Sequence, residues 1–333
     1  MRIPATIFSI LLPVLAFASD NLDLGNPGKD DQVIDREGYA LGYCEAWQQP
    51  RWVAYRLTAE EVTSQVVGRC DNFQPDPAIK TGSATLEDYR GSGYDRGHLA
   101  PAADMKWSRK AMDECFYLSN MSPQDGGCNS GIWNEIENTV RGFACSEGSV
   151  FIVTGPVVGK DPKTIGFNRV AVPDGFYKVV YDETPPVKMI AFYVANRRMP
   201  GKPKDYACTV DRIEKMTGLD FFSKLPVSVQ AKLEAECSVS AWDWSKSQRV
   251  RAKSGQNAPT FASGGERKEY FAGSQTPVSS RPAAPVCDDW PDTGFWLSTN
   301  SNKRHNKSCP NYRKTRGYPC QKNEGTPCGK CGG

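Results

Sequence analysis

Gly93-Tyr94-Asp95-Arg96-Gly97-His98-Leu99-Ala100-Pro101 is the stretch about which the rest of the chain is organised. The sequence holds two histidines, and His98 is the one that falls in the first three hundred residues. In an extended segment, side chains at i and i+2 share a face, so Arg96 and His98 point into the same space. That pairs a base able to work near neutral pH with a permanent, forked cation suited to phosphate oxygens. Gly97, between them, allows backbone or ligand to approach closely. A surface turn with neighbouring polar residues is the plainer reading of Arg-Gly-His alone; the rest of the sequence decides against it.

At 333 residues the chain is long enough for two domains. The formal net charge of +3 permits an anionic partner without requiring one. Arg2, the apolar run Ile7 to Leu15 and the small-x-small Ala16-Phe17-Ala18 read as a secretory signal peptide over residues 1–18. With twelve cysteines, this predicts a secreted or periplasmic protein in which disulfides can form. No stretch reaches the ~20 apolar residues a membrane span needs.

Trp52 to Thr58 is rich in strand formers, with Arg56 on the face of Trp52 and Ala54. Ala102 to Met112 has helix-forming composition, and Phe116 to Met121 reads as a short buried strand ended by Ser122-Pro123-Gln124. Cys128 to Gly142 carries Trp133, Ile136 and Val140 at helical spacing, with Gly142 as the stop. On that helix Asn129, Trp133, Glu137 and Arg141 form one slowly drifting row. The runs 150–155, 176–181 and 189–194 read as adjacent strands, and 210–218 and 228–236 as helices. The predicted class is therefore α+β, a central, largely antiparallel sheet flanked by helices. The main α+β domain spans 38–244, a Ser/Gly/Pro-rich linker 245–286, and a basic cysteine-rich module 287–333.

Phosphodiester hydrolysis needs an activated water, charge stabilisation at the phosphoryl oxygens and help for the leaving oxygen. His98 supplies a base and Arg96 a clamp; Asn129 and Glu137 offer a sparse oxygen site of the kind Mg²⁺ takes while keeping its waters. Tyr94 to Pro101, then Leu118-Ser119-Asn120-Met121-Ser122-Pro123-Gln124, then Asn129 with Trp133 and Glu137, resemble the DNA/RNA non-specific endonuclease family over roughly Gly38 to Trp244.

That resemblance implies a ββα-metal active site and cleavage of DNA and RNA to 5′-phosphate ends. It implies His98 as general base, Asn129 as the one direct protein ligand to Mg²⁺ (Mn²⁺ substituting), Arg96 as transition-state stabiliser and Glu137 as the residue ordering water on the metal. It also implies Asn120 as support for the site, and Arg56 and Arg141 as contacts to substrate phosphate. The expected partners are DNA and RNA, with a homodimer as an allowed assembly. The sequence departs from the family pattern at Asp125-Gly126-Gly127-Cys128, where Cys128 is expected to pair with Cys115 or Cys145.

In the C-terminal module, His305-x3-Cys309 with Cys328-x2-Cys331 has the spacing of a structural Zn²⁺ site and resembles small zinc-binding modules. A disulfide cluster including Cys287 and Cys320 is the competing reading. In the last 33 residues Lys303, Arg304, Lys307, Arg313, Lys314, Arg316, Lys322 and Lys330 oppose the single acid Glu324. Together with Trp290, Trp296 and Tyr312 they suit nucleic acid. Two rivals stand beside the nuclease: a catalytically silent nucleic-acid-binding or envelope protein of the same fold, and a zinc enzyme centred on the C-terminal cysteines.

Overall fold

The computed structural model describes residues 19–28, 30–245, 295–298, 303–310, 312, 317–319, 326–329 and 331. The expected signal peptide, and the expected linker beyond residue 245, lie outside the described residues, as do Cys287, Trp290, Arg313, Lys314, Arg316, Cys320, Lys322 and Lys330. Chain contacts divide the molecule into two units, 1–260 and 261–333, and each is described by itself. Among the described residues no helix is long and apolar enough to cross a membrane.

The first unit is built on β1 (Gln32–Asp35), β2 (Ala40–Cys44), β3 (Gln49–Thr58), β6 (Ser149–Val157), β9 (Gly175–Asp182), β10 (Lys188–Ala195) and β11 (Ala207–Cys208), hydrogen-bonded in that order. Every pairing in this sheet is antiparallel. Strands β6, β9 and β10 are buried along nearly their whole length because both sheet faces are covered.

Alternation along β3 sorts the two faces. Trp52 and Ala54 join Phe151, Tyr177 and Val179 in one apolar cluster, closed by α6 (Val210–Thr217) and α7 (Val227–Glu234) through Val210, Ile213 and Leu233. Val53, Tyr55 and Leu57 join Ile152, Val180 and Ile190 in the other cluster, covered by α5 (Asn134–Glu147) through Ile136, Val140, Phe143 and Ala144. Short helices α1 (Ala59–Thr63), α2 (Leu86–Tyr89), α3 (Arg109–Glu114) and α4 (Gly126–Cys128) punctuate the loops. β7 (Thr164–Ile165) and β8 (Val170–Ala171) form a small ribbon of their own.

The quoted stretch forms β4 (Asp95–His98), which pairs antiparallel with β5 (Met121–Gln124), His98 opposite Met121 and Gly97 opposite Ser122. Three sequence expectations are corrected here. Residues 118–120 form a 3₁₀ turn, and the strand begins at Met121, where a buried strand over 116–121 was expected. The helix expected over 102–112 is a 3₁₀ turn at Ala102–Asp104 and a separate α3, because Ser108 caps a new helix start by accepting from the Ala111 amide. The helix expected to stop at Gly142 runs on to Glu147 and ends at Gly148, which takes φ +88°; Gly142 is buried inside it.

Gly97 is constrained by space. A Cβ there would sit 2.2 Å from Gln124 Oε1 and 2.6 Å from Gln124 Cβ, inside the buried interior of the β4–β5 pair. Gly97→Ala is therefore expected to destabilise the protein by about 1–3 kcal/mol, as overpacking usually does. It should also lower activity by tilting the strand that carries Arg96 and His98. A urea midpoint and specific activity both within error of wild type would refute this.

In the second unit β12 (Phe295–Ser298) is flanked by β13 (Lys303–Asn306) and β14 (Gly317–Pro319), and β15 (Thr326–Pro327) runs parallel to β13.

Candidate active site

Strand alternation places Arg96 and His98 on one face of β4, and Phe73 marks that face. Its ring lies 4.3 Å from the Arg96 guanidinium carbon and 5.5 Å from the His98 ring. Phe116 meets the imidazole edge-on at 4.9 Å. His98 Nε2 is shut off from solvent and has no hydrogen-bond partner. Burial, then the positive charges of Arg69 and Arg96, push its pKa down to about 3. The imidazole is thus neutral at pH 7, the form a base must have.

Beside it opens a cleft of about 550 Å³ whose walls include Arg69, Arg90, Arg96, Asp95 and Asn129. Arg69 pairs there with Asp71 at 2.6 Å and Arg90 with Glu87 at 3.0 Å, while Arg96 stacks on Phe73, so the three guanidinium groups offer an anion a surface on which it competes with these carboxylates. Arg69, absent from the sequence reading, depresses His98 and also lowers Glu137, so base and carboxylate lie within one electrostatic neighbourhood.

Asn129 does not sit on a regular helix, as the expected row required. It opens a wider i→i+5 turn, Asn129–Trp133, broken at Gly131 (φ −98°, ψ −121°), and only then does α5 begin. Turns of this kind recur at functional sites because they re-aim side chains. Asn129 Nδ2 donates to Asp95 Oδ2 at 2.9 Å, which fixes the amide and leaves Oδ1 as the oxygen a cation can use. Asp95, on the opposite face of β4 from His98, is the second residue the sequence reading missed. Cys128 is a buried thiol, its Sγ 3.8 Å from Gln124 Nε2, so the disulfide expected there is absent.

Glu137, on α5, is half-buried, and burial pushes its pKa up to about 7. Lys178 and Arg141 pull it back down; Asp104 opposes them. Lys178 is 1% exposed, its Nζ lies 5.2 Å from the Trp133 ring centroid, and no hydrogen-bond partner meets it. Burial pushes this amine down to about 8, against the pull of Glu137. A lysine inside an apolar strand run gave no sequence signal beyond its being the one charge in Gly175–Val180. The Asn129 oxygen and the Glu137 carboxylate are hard oxygen donors of the kind a small divalent cation takes in preference to a softer metal, whereas the Lys178 ammonium is a cation and offers no ligand.

The structure places three further predicted site residues, two of them away from the phosphate contact expected of them. Arg56 lies on the other face of the sheet, stacked 5.4 Å over Phe151 and paired with Asp20 (3.3 Å) and Glu183 (3.5 Å), so it does not reach this site. Arg141 is buried, donating to Asp104 Oδ1 at 2.5 Å and to Asn138 Oδ1 at 3.0 Å, while Asp104 Oδ2 accepts from Tyr55. It braces the site from behind and does not meet phosphate. Asn120 is fully buried; its Oδ1 accepts from the Ala100 amide and its Nδ2 donates to the carbonyls of Ala100 and Cys115. That clamps the chain two residues past His98, a positioning task.

Arg141→Ala strands Asp104 as a buried charge, and a loss of about 3–5 kcal/mol is expected in urea unfolding at pH 7. A loss under about 1 kcal/mol would contradict this pairing. Glu137 gives a pH signature in the metal-free protein. Below its ordinary value of 4.5 both folded and unfolded states hold the proton. As pH rises from 4.5 to about 7 only the unfolded state ionises, so the folded state loses stability. Glu137→Gln escapes that loss, and its melting temperature should pull ahead of wild type across this window. A gap that stays constant with pH would count against a burial-raised carboxylate.

A model of the DNA/RNA non-specific endonuclease family matches residues 18–228. The mitochondrial nuclease of Saccharomyces cerevisiae is 34% identical, over 69% of this chain and 78% of its own. The human mitochondrial nuclease EXOG is 38% identical over 56% of each, so the chain spans little more than half of that relative. The solved structure of the EndoG/EndoGI complex, which addresses EndoG inhibition, superposes with a TM-score of 0.58 at 34% identity, over 62% of this chain and 91% of that one. The mitochondrial names overturn the expectation of a secreted or periplasmic protein and point to mitochondria instead.

Proposed function

The chain belongs to the DNA/RNA non-specific endonuclease family and so is a nuclease hydrolysing phosphodiester bonds, and we propose that it cuts within DNA and RNA in a Mg²⁺-dependent reaction that leaves 5′-phosphate ends. The observation carrying this reading is the shared face of Arg96 and His98 beside the arginine-walled cleft.

Arg96 and Arg69 engage the non-bridging phosphoryl oxygens, and Arg90 extends that grip along the backbone. His98, neutral at working pH, takes the proton from the water that attacks phosphorus. Phe73 and Phe116 hold the ring, so little orientational freedom is lost at reaction. A phosphate entering beside Arg96 and Arg69 offsets the charges that depress His98, which raises the basicity of the imidazole once substrate is bound. Asn129 and Glu137 would hold the Mg²⁺, which when bound neutralises phosphoryl charge and eases departure of the 3′ oxygen. Lys178 and Arg141 offset part of the burial that raises Glu137.

The test is nicking of supercoiled plasmid and degradation of RNA by purified protein, with Mg²⁺ or with EDTA. Products that a ligase reseals without prior phosphorylation show 5′-phosphate ends. Cleavage that persists in EDTA would overturn the metal, and absence of cleavage by folded, Mg²⁺-replete protein would leave only a nucleic-acid-binding role.

A further inference from the structure

His305, Cys309, Cys328 and Cys331 belong to the second unit, which holds none of the residues the nuclease reading uses, and their ligand atoms all fall within 4.8 Å of one another. We propose that they form a closed structural Zn²⁺ site that organises this unit.

Spacing alone left zinc and disulfides open; three structural observations favour zinc. First, the imidazole belongs to the group. His305 is 3% exposed and its Nδ1 lies 3.1 Å from Cys309 Sγ. A disulfide pairs two sulfurs about 2.05 Å apart and has no use for a buried histidine. A tetrahedral zinc with Zn–S near 2.3 Å and Zn–N near 2.0–2.1 Å holds its four ligand atoms roughly 3.5–3.8 Å apart, the scale of this cluster. Second, each ligand pair sits on a tight turn of the right kind. The Cys309 amide donates to the Asn306 carbonyl at 3.0 Å, and the Cys331 amide to the Cys328 carbonyl at 3.2 Å.

Third, backbone and side-chain hydrogen bonds tie the two turns together. β15 runs parallel to β13, and the Cys328 amide donates to the Arg304 carbonyl at 3.0 Å, next to His305. Asn306 spans the remaining gap: its Oδ1 accepts from the Ser308 amide in the first turn and its Nδ2 donates to the Cys331 carbonyl in the second, at 2.7 Å. Asn306 is thus a positioning residue for both ligand pairs. Four nitrogen and sulfur ligands with no place kept for water make a structural site, and the module has too few residues to bury a self-sufficient core. Zinc affinity would supply its folding energy.

Zinc should be measured on the full chain purified without chelator. About one zinc per chain is expected, lost from the Cys328→Ser/Cys331→Ser double variant and retained in Cys208→Ser, whose thiol lies in the other unit. Because the double variant can lose zinc merely by unfolding the module, the ligand set is read independently by X-ray absorption on wild type. Three sulfurs near 2.3 Å and one nitrogen near 2.0–2.1 Å are expected. Zinc that survives in the double variant, an oxygen-rich shell, or a Cys328-containing disulfide in metal-free protein as isolated would each overturn the site. None of these readouts depends on nuclease activity.

Discussion

Replacing His98 with alanine is expected to lower turnover on both DNA and RNA by about 10²–10⁴-fold, the range that removal of a general base usually costs. The imidazole is well placed to be that base: it is neutral at pH 7, its Nε2 meets no protein partner, and it shares its face with a guanidinium. The loss should fall on kcat, with KM for a short duplex nearly unchanged, because phosphate binding rests on Arg69, Arg90 and Arg96. Removing the ring opens space between Phe73 and Phe116, so some stability is also lost; a circular dichroism melt and a binding isotherm separate that from chemistry. Added imidazole should restore part of the turnover, which a purely structural defect would not allow. A His98→Ala protein that is folded and turns over within tenfold of wild type would remove His98 from the mechanism.

The sheet was legible where one physical signal dominated. Val150 to Gly155, with Thr154 the one polar side chain, and Met189 to Val194 read as apolar runs because helices cover both faces. Arg96 and His98 were legible because a period of two needs only the assumption of an extended chain.

What failed depends on partners remote in sequence. Alternation correctly put Arg56 with Trp52 and Ala54, but could not say that the site lies on the opposite face, with Tyr55. Arg141 was rightly placed in line with Glu137, yet its strongest partner, Asp104, lies 37 residues earlier and carries no local mark. Lys178 was hidden in the same way, a charge inside an apolar strand whose neighbours Trp133 and Glu137 come from α5 and the turn before it. The break at Gly131 was likewise invisible, since helical spacing of Trp133, Ile136 and Val140 says nothing about where the regular turn starts. The export reading failed for a different reason. Residues 2–18 carry no acidic side chain, a feature of secretory and mitochondrial targeting segments alike, and the address is read by receptors rather than set by hydropathy.

Asn129→Ala is expected to cost more than about 100-fold in turnover, since losing even a residue that supports a metal ligand typically costs 10–100-fold. Folding should be little affected. The side chain is part-exposed at the start of an irregular turn, and its one hydrogen bond, to Asp95, is worth only about 1 kcal/mol. The Mg²⁺ concentration giving half-maximal activity should rise in parallel.

Asn129→Asp separates ligation from electrostatics. A carboxylate 2.9 Å from Asp95 Oδ2 cannot donate the hydrogen bond the amide gives, and the two negative charges repel unless a cation lies between them. The aspartate variant should therefore bind divalent cations at least as tightly as wild type and still cleave more slowly, because the added charge spends part of the ion's field that phosphate would otherwise feel. If Asn129→Ala kept near-normal turnover with an unchanged Mg²⁺ requirement, the ligand would have to be sought at Asp95 or Glu137.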